Sequence, residues 1–236
     1  STLQATRDAY NNYTKASITY TFGDQTVTLD GSTLKNWLQF DEKGQLVQDD
    51  ASFTQHVKDF VAQLASEHNT VGTTRSFNTT SGRTVSVYGS AYGWKIDQDA
   101  EAAQLTEEIR TGTQTTREPV YSMRANAYGY NDIGSTYIEV DLSSQHMYYY
   151  QGGSIIFDSD IVSGDIRYDD RATPPGIFTL YYKKSPDVLH DATWQAYFGG
   201  DRYTYAGSHG CINMPLDAAA TLYSIIDTNV PIVCFY

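Results

Sequence analysis

The 236-residue chain has few of the residues on which several protein classes depend. Two cysteines, Cys211 and Cys234, are too few for a disulfide-stapled scaffold. No stretch approaches the roughly 18 apolar residues of a membrane-spanning helix, and we expect no signal peptide among these residues. Because the chain begins Ser1-Thr2-Leu3 without methionine, we expect a trimmed chain from which a membrane anchor has been removed. These absences exclude a disulfide framework and a helical membrane span within the sequence.

Positive charge is also scarce. Lys and Arg together number 16 against 28 Asp and Glu, which gives a formal net charge of -12. Residues 1–118 contain 10 basic and 15 acidic side chains, and residues 119–236 contain 6 and 13. Binding to nucleic acid depends on clustered Lys and Arg that displace counterions, and the sequence has no basic stripe. The composition therefore excludes a nucleic-acid partner and direct binding to an anionic lipid surface.

Tyrosine, in contrast, is abundant, with 20 residues. Tyrosine has good strand propensity, so most of these side chains are predicted to fill positions in sheets. Its ring can also cover the face of a sugar or peptide while its hydroxyl forms a hydrogen bond, which suits an extracellular protein that binds a neutral polymer. Composition alone leaves both roles open.

The first half of the chain mixes helix and strand patterns. Alternation with period two predicts a β-hairpin around Gly23-Asp24. Apolar residues spaced three and four apart predict a helix, and a second helix is predicted to begin at Asp99 as its cap. The predicted elements are strands 17–22, 25–29, 83–88 and 92–96 and helices 52–65 and 99–111. Residues 1–117 are therefore predicted to form an α+β domain.

The second half is dominated by strand patterns. Residues 118–136, rich in Thr, Gly, Asn and Tyr, show no clear period and are predicted to be a linker. Short strands at hairpin spacing then predict an antiparallel barrel or sandwich over residues 137–236. One helix is predicted to begin near Pro215 and to run to Ile226. The predicted strands are 137–142, 146–151, 154–157, 160–163, 177–182 and a terminal strand that ends at Phe235.

The hexapeptide Ser-His-Gly-Cys-Ile-Asn at residues 208–213 carries the strongest chemical signal. A thiol becomes an efficient nucleophile when an imidazole takes its proton and backbone N–H groups hold the oxyanion that forms. Cys211 is therefore predicted to be the nucleophile and His190 its general base, with Asp191 fixing the tautomer of the imidazole. The N–H groups of Gly210 and Cys211 are predicted to form the oxyanion hole. The sequence thus indicates an enzyme that works through a thioester.

Other residues of the hexapeptide have open roles. His209 is a candidate catalytic residue that could equally hold the loop or orient a substrate. Ser208 is a candidate substrate contact or a hydroxyl that stabilises the loop, and Asn213 would brace the loop through its amide. Cys234 lies in an apolar terminal strand pattern and is predicted to be an inert buried thiol. No zinc site with three or four ligands can be assembled from these residues, so no metal is predicted.

The long connection at residues 183–207 contains His190 and is predicted to be a lid over the site. Trp194, Tyr197 and Tyr205 are predicted to contact substrate, although aromatic side chains can also merely anchor such a loop. Arg202 is predicted to meet a substrate carboxylate, with a solvated side chain as the alternative.

From Tyr137 to the end, the chain resembles the L,D-transpeptidase catalytic domain of the YkuD type, and in particular the Gram-positive members. The resemblance rests on the run Thr-Pro-Pro-Gly-Ile-Phe at residues 173–178, on His190 and on the hexapeptide at 208–213. The asparagine two residues after the cysteine is similar to one subgroup of the family. The first half resembles the peptidoglycan-binding domain that precedes this catalytic domain, notably over residues 89–97.

This resemblance implies a peptidoglycan L,D-transpeptidase. In the family, the cysteine attacks the carbonyl between the third and fourth residues of a tetrapeptide stem and releases D-alanine. An amine of a second stem then takes the acyl group, which gives a 3-3 cross-link. Carbapenem β-lactams acylate the same cysteine, and neither a metal nor another cofactor is needed. The implied location is the cell wall or cell surface, with a membrane anchor in the full-length protein.

Two competing classes are disfavoured by residue order. A sortase needs an arginine after its cysteine, and the last arginine here is Arg202. Papain-like and NlpC-type peptidases place the cysteine before the histidine, whereas His190 precedes Cys211. Two alternatives remain open: an L,D-carboxypeptidase, in which water attacks the thioester, and a cell-wall-binding module without activity.

Overall fold

The computed structural model describes residues 2–47, 51–185 and 197–236. Its helices and strands follow one another in this order: α1 Thr2–Lys15, β1 Ser17–Phe22, β2 Gln25–Asp30, α2 Gly31–Leu34, α3 Ala51–His68, β3 Thr73–Asn78, β4 Thr84–Gly89, β5 Lys95–Ile96, α4 Gln98–Thr111, β6 Gln114–Arg117, β7 Tyr121–Met123, β8 Tyr137–Asp141, β9 His146–Gln151, β10 Ser154–Asp160, β11 Gly176–Thr179, a 3-10 turn Arg202–Thr204, α5 Leu216–Ile225 and β12 Pro231–Phe235. No helix among these is long and apolar enough to cross a membrane.

The described chain divides into two compact units that do not follow the sequence in simple order. The first unit comprises the residues up to Asn69 together with Trp94–Arg124. The second comprises Thr70–Gly93 and Ala125–Tyr236. The hairpin β3–β4 therefore belongs to the second unit, although it lies within the span 1–117 that the sequence assigns to the first domain. The boundaries at residues 117 and 137 stay a prediction.

The first unit is an α+β structure, as predicted. Its sheet has the order β2-β1-β6, with β1 and β2 joined as the predicted hairpin through Gly23 at φ 64° and with β6 parallel to β1. The predicted helix at 52–65 is confirmed as α3, whose apolar face is buried. The predicted cap of α4 is wrong by two residues: Asp97, not Asp99, accepts a hydrogen bond from the backbone of the first turn. Asp97 takes this role because its backbone is extended, as a cap requires.

A buried carboxylate joins α4 to the segment that follows it. Glu101 is fully buried and accepts hydrogen bonds from the Tyr20 hydroxyl at 2.6 Å, from Arg117 at 2.7 Å and from the backbone N–H of Val120 at 2.7 Å. Burial, and then the negative charge of Glu101, raise the pKa of Tyr20 well above its ordinary value. Each oxygen of the carboxylate is satisfied, which is the condition under which a buried charge is tolerated.

The second unit is built on a five-stranded sheet in the order β10-β9-β8-β12-β11. The prediction of a mainly β domain with one C-terminal helix is confirmed. The sheet is mixed rather than wholly antiparallel, because β12 pairs parallel to β8. A parallel pair cannot be joined by a tight turn, and here most of the domain, including α5, lies between the two strands.

Three strand and helix details differ from the sequence pattern. The strand predicted at 154–157 continues as β10 to Asp160, because its exposed positions tolerate polar residues. Of the strand predicted at 160–163, only Asp160 belongs to β10, and Val162 forms an isolated bridge with Asn213. β11 ends at Thr179 instead of continuing to Tyr182, which is exposed. The predicted helix is confirmed as α5, capped by Pro215, but Leu216 is exposed and does not join its apolar face.

A buried ion pair fastens the β3–β4 hairpin within the second unit. Arg75 donates to the two carboxylate oxygens of Asp132 from Nε at 2.9 Å and from Nη2 at 2.7 Å, and the Thr70 hydroxyl donates to the same carboxylate. The side chains of Arg75 and Asp132 are both 3% exposed. A buried charge left without its partner is strongly destabilising. This pair therefore ties the hairpin to the segment that precedes β8.

Replacement of Asp132 by asparagine is expected to lower the free energy of unfolding by about 3 to 5 kcal/mol, since it leaves the Arg75 guanidinium buried and unpaired. Asp132 has φ 50°, a conformation that asparagine also tolerates, so the loss reports the charge and not the backbone. Urea unfolding measures it. Asp169→Asn, at an exposed carboxylate of the same unit, should change stability by less than about 0.5 kcal/mol. Equal unfolding midpoints for the two variants would contradict the role of the pair.

Candidate active site

Backbone hydrogen bonds hold the hexapeptide 208–213 at both ends. Ser208 donates its N–H to the carbonyl of Ser163 at 3.0 Å and accepts the N–H of Asp165 at 2.9 Å. At the other end, the N–H of Asn213 donates to the carbonyl of Val162 at 2.9 Å, and the N–H of Val162 donates to the carbonyl of Asn213 at 2.8 Å. The five residues from 208 to 212 are thereby anchored against the segment 162–165. The loop geometry follows from these pairs and not from any regular helix or strand.

The two cysteines lie in opposite environments. Cys211 is exposed, whereas Cys234 is buried in β12. Burial raises the pKa of the Cys234 thiol to about 12, so it stays protonated at neutral pH. The prediction that Cys234 is a buried core thiol is confirmed. Of the two thiols, only that of Cys211 reaches solvent.

Alternation along the loop explains the exposure of Cys211. The flanking side chains of Ile212 and Met214 turn inward and line an apolar cavity of about 320 Å³ beneath α5. The cavity is completed by residues of the sheet and of α5, among them Ile138, Val140, Ile232, Leu222 and Ile226. The side chain of Ile212 is partly buried on the side of the cavity, and that of its neighbour Cys211 is exposed to solvent. Packing of apolar residues thus orients the thiol outward.

Thr173 braces the loop from the segment that carries the Thr-Pro-Pro-Gly run. Its hydroxyl donates to the carbonyl of Gly210 at 2.9 Å and accepts the N–H of Gly164 at 2.9 Å. The Ser208 hydroxyl adds a second brace by donating to the carbonyl of Cys211 at 2.6 Å. The carbonyl of Gly210 belongs to the same planar peptide group as the N–H of Cys211, so the hydrogen bond from Thr173 also fixes the orientation of that N–H. Gly210 has φ 106°, which favours glycine.

Close backbone approach requires two further glycines. A β-carbon on Gly164 would lie 1.8 Å from the carbonyl oxygen of Arg171, and one on Gly207 would lie 2.6 Å from the backbone nitrogen of Asp165. Both contacts are impossible for any other residue without movement of the chain. The segment 164–173 is therefore closely packed against the loop that carries Cys211.

Replacement of Thr173 by valine is expected to lower stability by about 1 to 3 kcal/mol, because the buried N–H of Gly164 loses its acceptor. Activity should fall as well, since the Gly210 peptide is no longer held. Thermal unfolding and the rate of Cys211 acylation measure the two effects. Thr179→Val on β11 removes a hydroxyl from the same unit and is the matched control. Wild-type acylation by the Thr173 variant would show that the brace is not needed.

The remaining site candidates from the sequence fall into two groups. Tyr197 and Tyr205 are exposed and Arg202 is half-buried, with its guanidinium 5.7 Å from the centre of the Tyr197 ring. His209, two residues before Cys211 in the sequence, is exposed. His190, Asp191 and Trp194 lie outside the described residues, and so does the central part of the predicted lid. The roles assigned to all of these residues stay predictions.

Sequence reasoning missed the contribution of the segment 164–173. Asp165 is buried, accepts from Arg167 at 2.9 and 2.6 Å, and has its pKa lowered to about 2, chiefly by these hydrogen bonds. Arg171 lies two residues before Thr173. The one signal of this segment in the sequence is the run Thr-Pro-Pro-Gly at residues 173–176, which by itself does not assign a role to Thr173. Within the described residues, no group of three His, Cys, Asp or Glu side chains could hold a metal ion.

The fold and the loop together define a class of protein. A mainly β unit presents an exposed thiol on a loop in which side chains hold the carbonyls of Gly210 and Cys211. Such an arrangement suits covalent catalysis of acyl transfer, since the thiol is accessible and the backbone next to it is held in place.

Comparison with known proteins identifies the family. Residues 135–234 match the model of the L,D-transpeptidase catalytic domain (YkuD), and residues 1–117 match that of a "Putative peptidoglycan binding domain". The structure is similar to the avibactam carbamoyl enzyme of Ldtfm, with 28% identity, 99% of each chain covered and a TM-score of 0.76. It is also similar to a cysteine-to-serine mutant of Enterococcus faecium L,D-transpeptidase, with 28% identity, 97% of this chain and 99% of that one covered, and a TM-score of 0.74. Among curated proteins, none matches the chain. The chain belongs to the L,D-transpeptidases with a YkuD-type catalytic domain and a preceding peptidoglycan-binding domain.

Proposed function

We propose that this protein forms 3-3 cross-links in peptidoglycan through a thioester on Cys211. The observation that carries the proposal is the pair of cysteine environments: Cys211 is exposed on a braced loop, and Cys234 is buried with its pKa raised to about 12. A thiol can attack a large polymeric substrate only from the surface. The reaction is the one that the family catalyses, and in this chain the exposed thiol of Cys211 can perform it.

The first half-reaction is acylation of the thiol. Sγ of Cys211 attacks the carbonyl between the third and fourth residues of a tetrapeptide stem, while His190 takes the thiol proton. The negative charge that develops on the carbonyl oxygen is held by the N–H groups of Gly210 and Cys211. One donor of this kind contributes about 3 to 4 kcal/mol in other enzymes. The C–N bond then breaks, His190 returns the proton to the leaving nitrogen, and D-alanine departs.

The second half-reaction transfers the acyl group. A side-chain amine of a neighbouring stem attacks the thioester, loses a proton to His190 and forms an amide, and the thiol of Cys211 is regenerated. Asp191 would hold the imidazole in the tautomer that both steps need. Water as the acceptor would turn the same intermediate into an L,D-carboxypeptidase. We assign the transferase outcome because the family is defined by it.

Partners and location follow from the two domains. The first domain brings the catalytic unit to peptidoglycan, so the protein works at the cell wall, outside the cytoplasm. A β-lactam offers a reactive carbonyl to the same thiol, and Ldtfm forms a carbamoyl enzyme with avibactam. Carbapenems are therefore proposed as covalent inhibitors at Cys211.

Incubation with a disaccharide-tetrapeptide, followed by mass spectrometry of the products, tests the proposal. A covalent dimer that has lost one D-alanine supports transpeptidation. Loss of D-alanine without dimer formation would show the carboxypeptidase, and an unchanged substrate would leave a wall-binding module. A reaction that persists when Cys211 is blocked by alkylation would exclude the thioester.

A further inference from the structure

One arginine of the second unit, Arg171, has its main chain next to the loop of Cys211. Its charge helps to lower the pKa of Asp165, although the two side chains form no direct ion pair in the described part of the chain. The carbonyl of Arg171 would lie 1.8 Å from a β-carbon on Gly164 and 3.6 Å from one on Gly210. Gly210 directly precedes Cys211. The main chain of Arg171 is therefore placed beside the proposed oxyanion hole, and the closeness of Gly164 fixes it there.

The guanidinium of Arg171 differs from that of its neighbour Arg167. Arg167 forms two hydrogen bonds to the buried carboxylate of Asp165, at 2.9 and 2.6 Å. Arg171 stacks on the ring of Tyr168, with 4.4 Å between the guanidinium carbon and the ring centre. No carboxylate within the described ranges forms an ion pair with it. A half-buried guanidinium held by a ring and left with free donors is suited to an incoming anion.

The donor stem carries an anion at the corresponding place. In a tetrapeptide donor, the free carboxylate of the terminal D-alanine is three covalent bonds from the carbonyl that Cys211 would attack. That separation is about 3 to 4 Å. A group that binds this carboxylate must therefore lie beside the nucleophile and its oxyanion hole, and the main-chain carbonyl of Arg171 lies 3.6 Å from the β-carbon position of Gly210.

We propose that Arg171 binds the free carboxylate of the donor's terminal D-alanine and thereby positions the scissile carbonyl over Cys211. This inference rests on the proposed function. The planar guanidinium donates two parallel hydrogen bonds to the two carboxylate oxygens. Tyr168 keeps the guanidinium in place while the substrate is absent. The carboxylate leaves with D-alanine, so the site is emptied before the acceptor amine attacks.

Two donors that differ only at this carboxylate provide the test. One is the disaccharide-tetrapeptide, and the other is the same compound with its terminal carboxylate converted to a carboxamide. Release of D-alanine or D-alaninamide is followed by mass spectrometry, and kcat/KM is obtained for each. The wild-type enzyme should prefer the carboxylate donor by roughly 10- to 100-fold, the range expected for hydrogen bonds to a charged group.

The variant Arg171→Gln should lose most of that preference. Its kcat/KM should fall roughly 10- to 100-fold on the carboxylate donor and little on the carboxamide donor. Arg167→Gln is the matched control from the same segment and should affect both donors alike. Arg202→Gln tests the arginine that the sequence had suggested for this role and should also affect both donors alike.

Three results would overturn the inference. They are equal use of the two donors by the wild-type enzyme, an equal loss on both donors in Arg171→Gln, and a donor-dependent loss in Arg202→Gln instead. Equal use of the two donors by the wild-type enzyme contradicts the inference even if Arg171→Gln does not fold. Failure of the wild-type enzyme to release an amine from either donor is a separate result, which would remove the proposed function and this inference with it.

Discussion

Replacement of Cys211 by alanine is expected to abolish cross-linking, release of D-alanine and the covalent adduct with a carbapenem. Loss of a catalytic nucleophile costs other covalent enzymes roughly 10⁴- to 10⁶-fold in rate. Because Cys211 is exposed, its truncation opens no cavity, and the melting temperature should stay at the wild-type value. Intact-mass spectrometry after incubation with a carbapenem measures the adduct, and product analysis measures turnover.

The second cysteine provides the control for this variant. Cys234→Ala should keep the carbapenem adduct and the cross-linking activity, because a thiol with a pKa raised to about 12 by burial is not ionised at neutral pH. One adduct per chain is expected for the wild-type protein and for Cys234→Ala, and none for Cys211→Ala. An adduct that survives in Cys211→Ala and maps to Cys234 would refute the assignment of the nucleophile.

Local patterns predicted the elements that local forces determine. The β1–β2 hairpin follows from alternation on both sides of a glycine that takes φ 64°. Helix α3 follows from apolar residues at helical spacing, which pack its buried face. The burial of Cys234 follows from the apolar strand around it. In each case, neighbours within a few residues contain all the information that the prediction needs.

Long-range contacts account for the features that the sequence patterns did not predict. The pairing of β12 with β8 joins residues that are far apart in sequence, so strand spacing alone suggested only antiparallel neighbours. The β3–β4 hairpin belongs to the second unit because Arg75 finds its carboxylate partner at Asp132, 57 residues away. A strand pattern records which residues alternate, and it does not record which sheet they will join.

In the candidate site, too, the features that depend on neighbouring residues were predicted, and those that depend on distant residues were not. The hexapeptide at 208–213 was recognisable because a thiol, an imidazole and a glycine occur together within a few residues. Thr173 was not assigned a role, since its hydrogen bond to Gly210 spans 37 residues. Nothing in the sequence indicates that the carbonyl of Arg171 comes close to Gly164. A glycine that is needed for a close approach looks in sequence like any glycine in a loop.

Replacement of His190 by alanine is expected to slow acylation of Cys211 by roughly 10²- to 10⁴-fold, the usual contribution of a general base. His190 lies outside the described residues, so this prediction rests on its place in the sequence before the hexapeptide. Stopped-flow measurement of carbapenem acylation over a range of pH gives the loss in rate and its pH dependence.

The exposed imidazole of His209 is the natural comparison, since His209 is the histidine two residues before Cys211 in the sequence. If His190 is the base, His209→Ala should keep the wild-type pH profile even where its rate is lower, and added imidazole should partly restore His190→Ala alone. An unchanged acylation rate in His190→Ala, together with a flattened pH profile in His209→Ala, would transfer the role of base to His209. The two variants therefore separate proton transfer from the positioning of the loop, because only loss of the base changes how the rate depends on pH.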